Sequence, residues 1–141
     1  MKNYIFLFFL FTTFSTVAQT EQFIGEYQLA SPYNINNEVL TRVLSINNDN
    51  TFSFHEYQNS KEMISPKNSY GKGTWTAKGN YIYFHAQKND IIDQYTLNFD
   101  NSKAVYKSKH PRDKSDRIII PYLLFLKTDI FWMERVKLEK K

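Results

Sequence analysis

From residue 23 onward the apolar residues of this chain recur at every second position, and many of the breaks between such runs are only three or four residues long. A period of two sends alternate side chains to opposite faces of a strand. Nine segments carry this pattern or are rich in β-branched and aromatic residues: 23–29, 40–46, 52–54, 70–75, 81–85, 91–99, 103–107, 119–126 and 130–138. No stretch of helical period competes with them. The short connections are Asn47–Asn50, Ala77–Asn80, Gln87–Asp90, Asp100–Ser102 and Lys127–Asp129, made of residue types that accept a positive φ or bond to their own backbone. A parallel crossover needs roughly a dozen residues or more, so strands joined this tightly pair antiparallel. The expected fold is all-β, an antiparallel up-and-down meander of eight or nine strands closed into a barrel; the alternative is a two-sheet β-sandwich.

Residues 1–18 stand apart from this pattern. Lys2 supplies a positive charge, Tyr4–Phe11 is an unbroken apolar run, and the stretch fades into the small residues before Gln19. These are the three parts of a secretory signal, and eight apolar residues are too few to cross a bilayer, which takes about 20. Export to the periplasm or the extracellular space is expected, with residues 19–141 forming one domain and no transmembrane segment after leader removal. The chain has no cysteine, which removes disulfides, thiolate metal ligands, thiol catalysis and a cysteine-linked lipid anchor.

Chemistry-bearing motifs are sparse. His55, His85 and His110 sit on three distant segments, and no pair has ligand spacing, so neither a metal nor a cofactor is expected. Glu56 adjoins His55 but points to the opposite sheet face. No nucleophile elbow and no HExxH occurs, and with four glycines the chain has no phosphate-cradling loop. The sequence therefore argues against an enzyme; a hydrolase with an unrecognised site is the remaining alternative. Gly71 and Gly73, just before Trp75, suggest a bend or room for a large neighbour. Three longer breaks, Ser31–Glu38, Gln58–Ser69 and Ser108–Arg117, each contain a proline, and Pro121 delays or demotes the strand that includes it.

Charge is unevenly divided. Residues 19–102 hold six basic and nine acidic groups, whereas residues 103–141 hold eleven basic and five acidic. The densest cluster, with Lys109, Arg112, Lys114 and Arg117, could gather anionic headgroups or polysaccharide; Asp113 and Asp116 could equally neutralise it within the loop. No basic-aromatic nucleic-acid motif stands out.

Phe23-Ile24-Gly25-Glu26-Tyr27 resembles the first strand of lipocalins, which carry Gly-x-Trp there. Leu44-x-Ile46, Phe52-x-Phe54 and Gly73-Thr74-Trp75 resemble the small lipocalin-like domains of secreted bacterial proteins, such as the N-terminal domain of the copper-stress envelope lipoprotein. Tyr27 replaces the expected Trp, the cysteines of the copper-stress domain are missing, and the chain is shorter than full lipocalins. The resemblance implies a lipocalin-like barrel with a small, partly apolar ligand or an envelope lipid. It also implies an arginine covering the first-strand aromatic, a place open to Arg135 in the last expected strand.

Two functions follow. In the first, a non-enzymatic binder holds an apolar molecule in the barrel, lined by Tyr27, Phe52, Phe54, Trp75 and Tyr95. In the second, bulky rings fill the barrel, and the basic loop with Lys109, Arg112, Lys114 and Arg117 meets a protein or an anionic surface. A roomy interior favours the first, and a packed one the second.

Overall fold

The computed structural model describes residues 20–29, 33–35 and 38–141; the leader reading for residues 1–18 lies outside them. Among the described residues the strands are β1 Gly25–Leu29, β2 Tyr33–Ile35, β3 Glu38–Ile46, β4 Thr51–Asn59, β5 Lys67–Lys78, β6 Tyr81–His85, β7 Ser102–Lys107, β8 Tyr122–Lys127 and β9 Lys137–Lys140. All pairings are antiparallel, and from β3 to β9 each strand lies beside its sequence neighbour. β1 then bonds β9 on one edge and Val43–Ile46 of β3 on the other. That double pairing closes an eight-stranded barrel, although β6 covers only Thr74–Lys78 of β5 and leaves Lys67–Gly73 as an edge. β2 continues along the same edge of β3, opposite Glu38–Leu40, so the break expected over Ser31–Glu38 contains a short strand.

The alternation that marked the strands also sorts the two faces. Leu44, Ile46, Phe52, Phe54, Trp75, Ile82, Phe84, Ala104, Leu123, Phe125 and Leu138 point inward and are buried, while Ser53, Thr74 and His85 point out. Phe54→Asp is therefore expected to unfold the domain, because an unpaired carboxylate would enter the aromatic core. Ser53→Asp should change stability by only about 0.5 kcal/mol. Thermal melts followed by circular dichroism check this order, and the reverse order would mean that the strand faces are swapped.

One expected strand does not form and another is shortened. Residues 91–99 are irregular: a 3₁₀ turn at Lys88–Asp90 precedes them, and Asp93 adopts a left-handed φ of 52°. The segment touches the β5 edge through one backbone bond, from Leu97 N–H to the Tyr70 carbonyl at 3.0 Å, and then drops the Phe99 ring into the core. Its period of two is real, but only Leu97 and Phe99 use it. The last expected strand, 130–138, likewise begins only at Lys137. Before it the chain turns, with Met133 N–H bonded to the Ile130 carbonyl at 2.8 Å and Arg135 at a φ of 65°. Ile130 and Met133 are buried three residues apart, a turn spacing rather than a strand spacing. β8 starts directly after Pro121, as a residue that cannot donate to the ladder requires.

Gly71 and Gly73 are explained by what lies against them. A Cβ on Gly71 would stand 2.6 Å from the Phe99 ring, and one on Gly73 would meet the His85 carbonyl oxygen and press on Phe52. The first glycine makes room for a core ring, and the second lets neighbouring backbone approach.

Candidate interaction surface

The barrel interior is occupied by its own side chains. Phe52 meets Phe84 at a centroid distance of 4.9 Å and Phe99 at 5.3 Å; Phe54 meets Phe99 at 5.0 Å; Phe84 stacks on Phe125 at 5.4 Å. Such pairs contribute about 0.5–1.5 kcal/mol each beyond the area they bury. At the end where β3 turns into β4, Trp75 donates its indole N–H to the Asn47 carbonyl at 3.0 Å and packs on Phe23 at 6.1 Å. Phe23 follows a helical turn that includes Thr20 and Glu21, and it reaches Tyr106 at 5.5 Å, so this segment plugs the end.

Of the five residues expected to line a ligand cavity, Phe52 and Phe54 fall in the central ring cluster, while Tyr27 and Trp75 are buried nearer the plugged end. Tyr95 is on the other side of the wall. Its ring packs edge-on against Tyr70 at 6.0 Å and lies under Lys72 Nζ at 4.5 Å, both outward residues of β5. The five thus do not surround a common space.

The Tyr27 hydroxyl donates to the Phe23 carbonyl at 2.8 Å. Burial, reinforced by nearby Tyr106, pushes the Tyr27 phenol well above its ordinary range. Arg135 does not cover this ring: it is exposed in the turn before β9, and its left-handed backbone takes it out of the strand. Lys140 stands there instead, with Nζ 5.8 Å from the Tyr27 ring centre and 2.9 Å from the Gln22 carbonyl it donates to. Partial burial lowers the Lys140 pKa. A phenol whose pKa is raised by folding stabilises below its unfolded value, about 10, and loses that contribution as pH rises further. Alkaline titration of stability should therefore fall less steeply for Tyr27→Phe than for wild type. The variant should lose about 0.5–1.5 kcal/mol at neutral pH through the missing hydrogen bond. Parallel alkaline slopes would contradict this assignment.

Toward the opposite end an ion pair sits among the rings. Arg42 and Glu56 are direct cross-strand partners, joined Nε to Oε2 at 2.6 Å, with side-chain exposures of only 13% and 8%. Trp132 from the β8–β9 connection lies over the guanidinium at 4.3 Å and beside Phe54 at 6.1 Å, covering the pair. The pairing follows from the Asn47–Asn50 turn: counting outward from Ile46 opposite Phe52 brings Arg42 to Glu56. That register was the available signal for a contact missing from the sequence reading.

The basic loop lies at the plugged end. β7 runs toward that end and β8 returns from it, so residues 108–121 connect them beside the β5–β6 turn, whose Asn80 carbonyl accepts from Tyr106 N–H at 2.7 Å. The long breaks therefore divide between two rims, since the β4–β5 connection opens at the other. Asp113 organises the loop. Its carboxylate accepts from Ser115 N–H at 3.0 Å and from Arg117 Nη2 at 3.1 Å, and Lys109 Nζ donates to the Ser115 carbonyl. The Ser115 bonds, with help from Arg117 and His110, hold the Asp113 carboxyl below the usual carboxylate range.

Asp113 thus neutralises Arg117 alone. Arg112 and Lys114 are exposed and form no ion pair with any described residue. Ile118, Ile119 and Ile120 follow, all exposed, with Ile118 at 94%. The sequence reading placed Ile119 and Ile120 inside a strand; Pro121 keeps them out of it. On the adjoining wall a shallow groove of about 670 Å³ runs between β6 and β7, lined by Lys78, Tyr81, Tyr83, Lys103 and Lys107. Lys103 Nζ lies 4.1 Å from the Tyr81 ring centre, so the lysine rests on the tyrosine face.

The histidines are engaged separately. His55 Nε2 bonds Asn68 at 2.8 Å, His85 Nε2 bonds Thr76 at 2.9 Å, and His110 Nδ1 accepts from Arg112 N–H at 3.1 Å. No family model, curated protein or solved structure matches this chain.

Proposed function

We propose that this protein is an exported, non-enzymatic interaction module that meets an anionic surface with the basic loop at the plugged end of its barrel. One contrast carries the reading: the interior is filled by rings in mutual contact, while Arg112 and Lys114 stand exposed, without carboxylate partners among the described residues, on an internally braced loop. Bracing matters because a preordered loop loses less conformational freedom on contact. Lys107 and the groove lysines extend the positive potential along the wall, and such fields act at long range in low salt. The leader pattern of residues 1–18 supports export as part of this reading, and the binding role expected from the lipocalin-like resemblance moves from the interior to the rim.

Reversing Arg112, Lys114 and Arg117 to Glu should abolish salt-sensitive retention on a soluble polyanion such as dextran sulfate and on anionic vesicles. Each exposed charge near such a surface contributes about 1 kcal/mol. Unchanged retention would remove the proposal. Circular dichroism would confirm that the variant remains folded.

A further inference from the structure

The exposed isoleucines beside the basic loop lie outside the buried core cluster and the residues packed against it. Runs of three exposed apolar residues are avoided on soluble surfaces unless something covers them. Here Ile118, Ile119 and Ile120 are 94%, 36% and 48% exposed, directly after Arg117 and directly before Pro121. The loop that presents them, residues 107–117, carries five basic side chains against two carboxylates, one of them committed to Arg117. Apolar groups and unpaired cations are therefore offered from one connection at one end of the barrel.

We infer that this end docks on an anionic lipid bilayer, with Ile118–Ile120 entering the headgroup–acyl boundary and Arg112, Lys114 and Lys107 lying among the headgroups. The inference rests on the reading that the basic loop meets an anionic surface, and it names that surface. An anionic polysaccharide would satisfy the cations but provide no apolar phase for three isoleucines. A bilayer supplies both, with negative charge at the surface and hydrocarbon a few ångströms beneath it, and interfacial binding draws on both contributions. The segment is short and irregular, which fits shallow entry: a lipid-exposed loop cannot leave its backbone unsatisfied in the hydrocarbon interior.

The test uses the mature protein with vesicles of phosphatidylglycerol in phosphatidylcholine, vesicles of phosphatidylcholine alone, and dextran sulfate. Wild type should bind the anionic vesicles and ignore the neutral ones. The triple variant Ile118→Ser, Ile119→Ser, Ile120→Ser should bind anionic vesicles roughly 10-fold more weakly or worse, and dextran sulfate as wild type does. Because the chain has no cysteine, Ile119→Cys carries an environment-sensitive dye at a single site. Its emission should shift to the blue on anionic vesicles, whereas the same dye at Ser53→Cys on the barrel wall should not respond. Full vesicle binding by the triple variant, no shift at position 119, or retention by dextran sulfate without vesicle binding would each overturn membrane entry while leaving the anionic-surface reading intact. Charge reversal of Arg112, Lys114 and Arg117 that leaves both ligands bound would overturn the two together.

Discussion

Gly73→Ala is expected to destabilise the barrel by about 3 kcal/mol or more, beyond the usual 1–3 kcal/mol for an overpacked site. A Cβ there would overlap the His85 carbonyl oxygen, a backbone atom fixed by the β5–β6 ladder, and would also press on Phe52 at 3.0 Å. Neither can yield locally, because Phe52 is held by Phe84 and Phe99. Relief requires β5 and β6 to separate, which breaks barrel hydrogen bonds. Gly71→Ala provides the contrast, since its Cβ would meet a side chain, the Phe99 ring, at 2.6 Å. Loss there should be smaller, and a second change, Phe99→Leu, should recover part of it by vacating the contested space. Denaturant unfolding of the single and double variants measures both effects. Equal losses at the two glycines would show that the close strand approach at Gly73 is misplaced.

Breaking the Arg42–Glu56 pair should cost about 3–5 kcal/mol from either side, since each single change strands a nearly buried charge. Glu56→Leu leaves the guanidinium beneath Trp132 without a counter-ion, and Arg42→Met leaves a carboxylate beside Phe54 without a donor. The double variant Arg42→Met, Glu56→Leu should return to within about 2 kcal/mol of wild type or exceed it, because apolar pairs often replace buried ion pairs without loss. Arg42→Met should also change Trp132 fluorescence, since the cation 4.3 Å from that ring is removed. Additive losses in the double variant would mean that the two side chains act independently and the contact is incidental.

Much of the barrel was legible because its signals are local. Alternation puts Phe52 and Phe54 on one face opposite Ser53 and His55, and the Asn47–Asn50 and Ala77–Asn80 turns join neighbours that pair antiparallel. Where the reading failed, a local pattern was satisfied in a non-local way. Ile91, Tyr95, Leu97 and Phe99 alternate like a strand, yet the chain spends that stretch crossing the β5 edge to lodge Phe99 over Gly71. Ile130 and Met133 belong to a turn that caps the barrel, a geometry that a period-two reading cannot register.

The candidate site was legible only in part. The basic cluster is visible as composition, but which cations remain unpaired among the described residues depends on how Asp113 folds the loop; the delay that Pro121 implies for the strand over 119–126 is what leaves Ile119 and Ile120 outside β8. Tyr95 belongs to the stretch where a strand is expected and none forms, and its ring lies outside the wall against Tyr70. Arg135 was matched to the first-strand aromatic by its place in sequence, whereas a left-handed turn leaves that place to Lys140.

A barrel already full of its own side chains leaves no interior space for a ligand. The direct measurement is a titration of labelled protein with a small apolar probe, followed by NMR of the Phe52, Phe54, Phe84 and Phe99 rings. The filled interior predicts no saturable shift at these four, with any weak change confined to the rim near Ile118–Ile120. Saturable one-to-one shifts centred on Phe52 and Phe99 would contradict it and return the binding role to the interior.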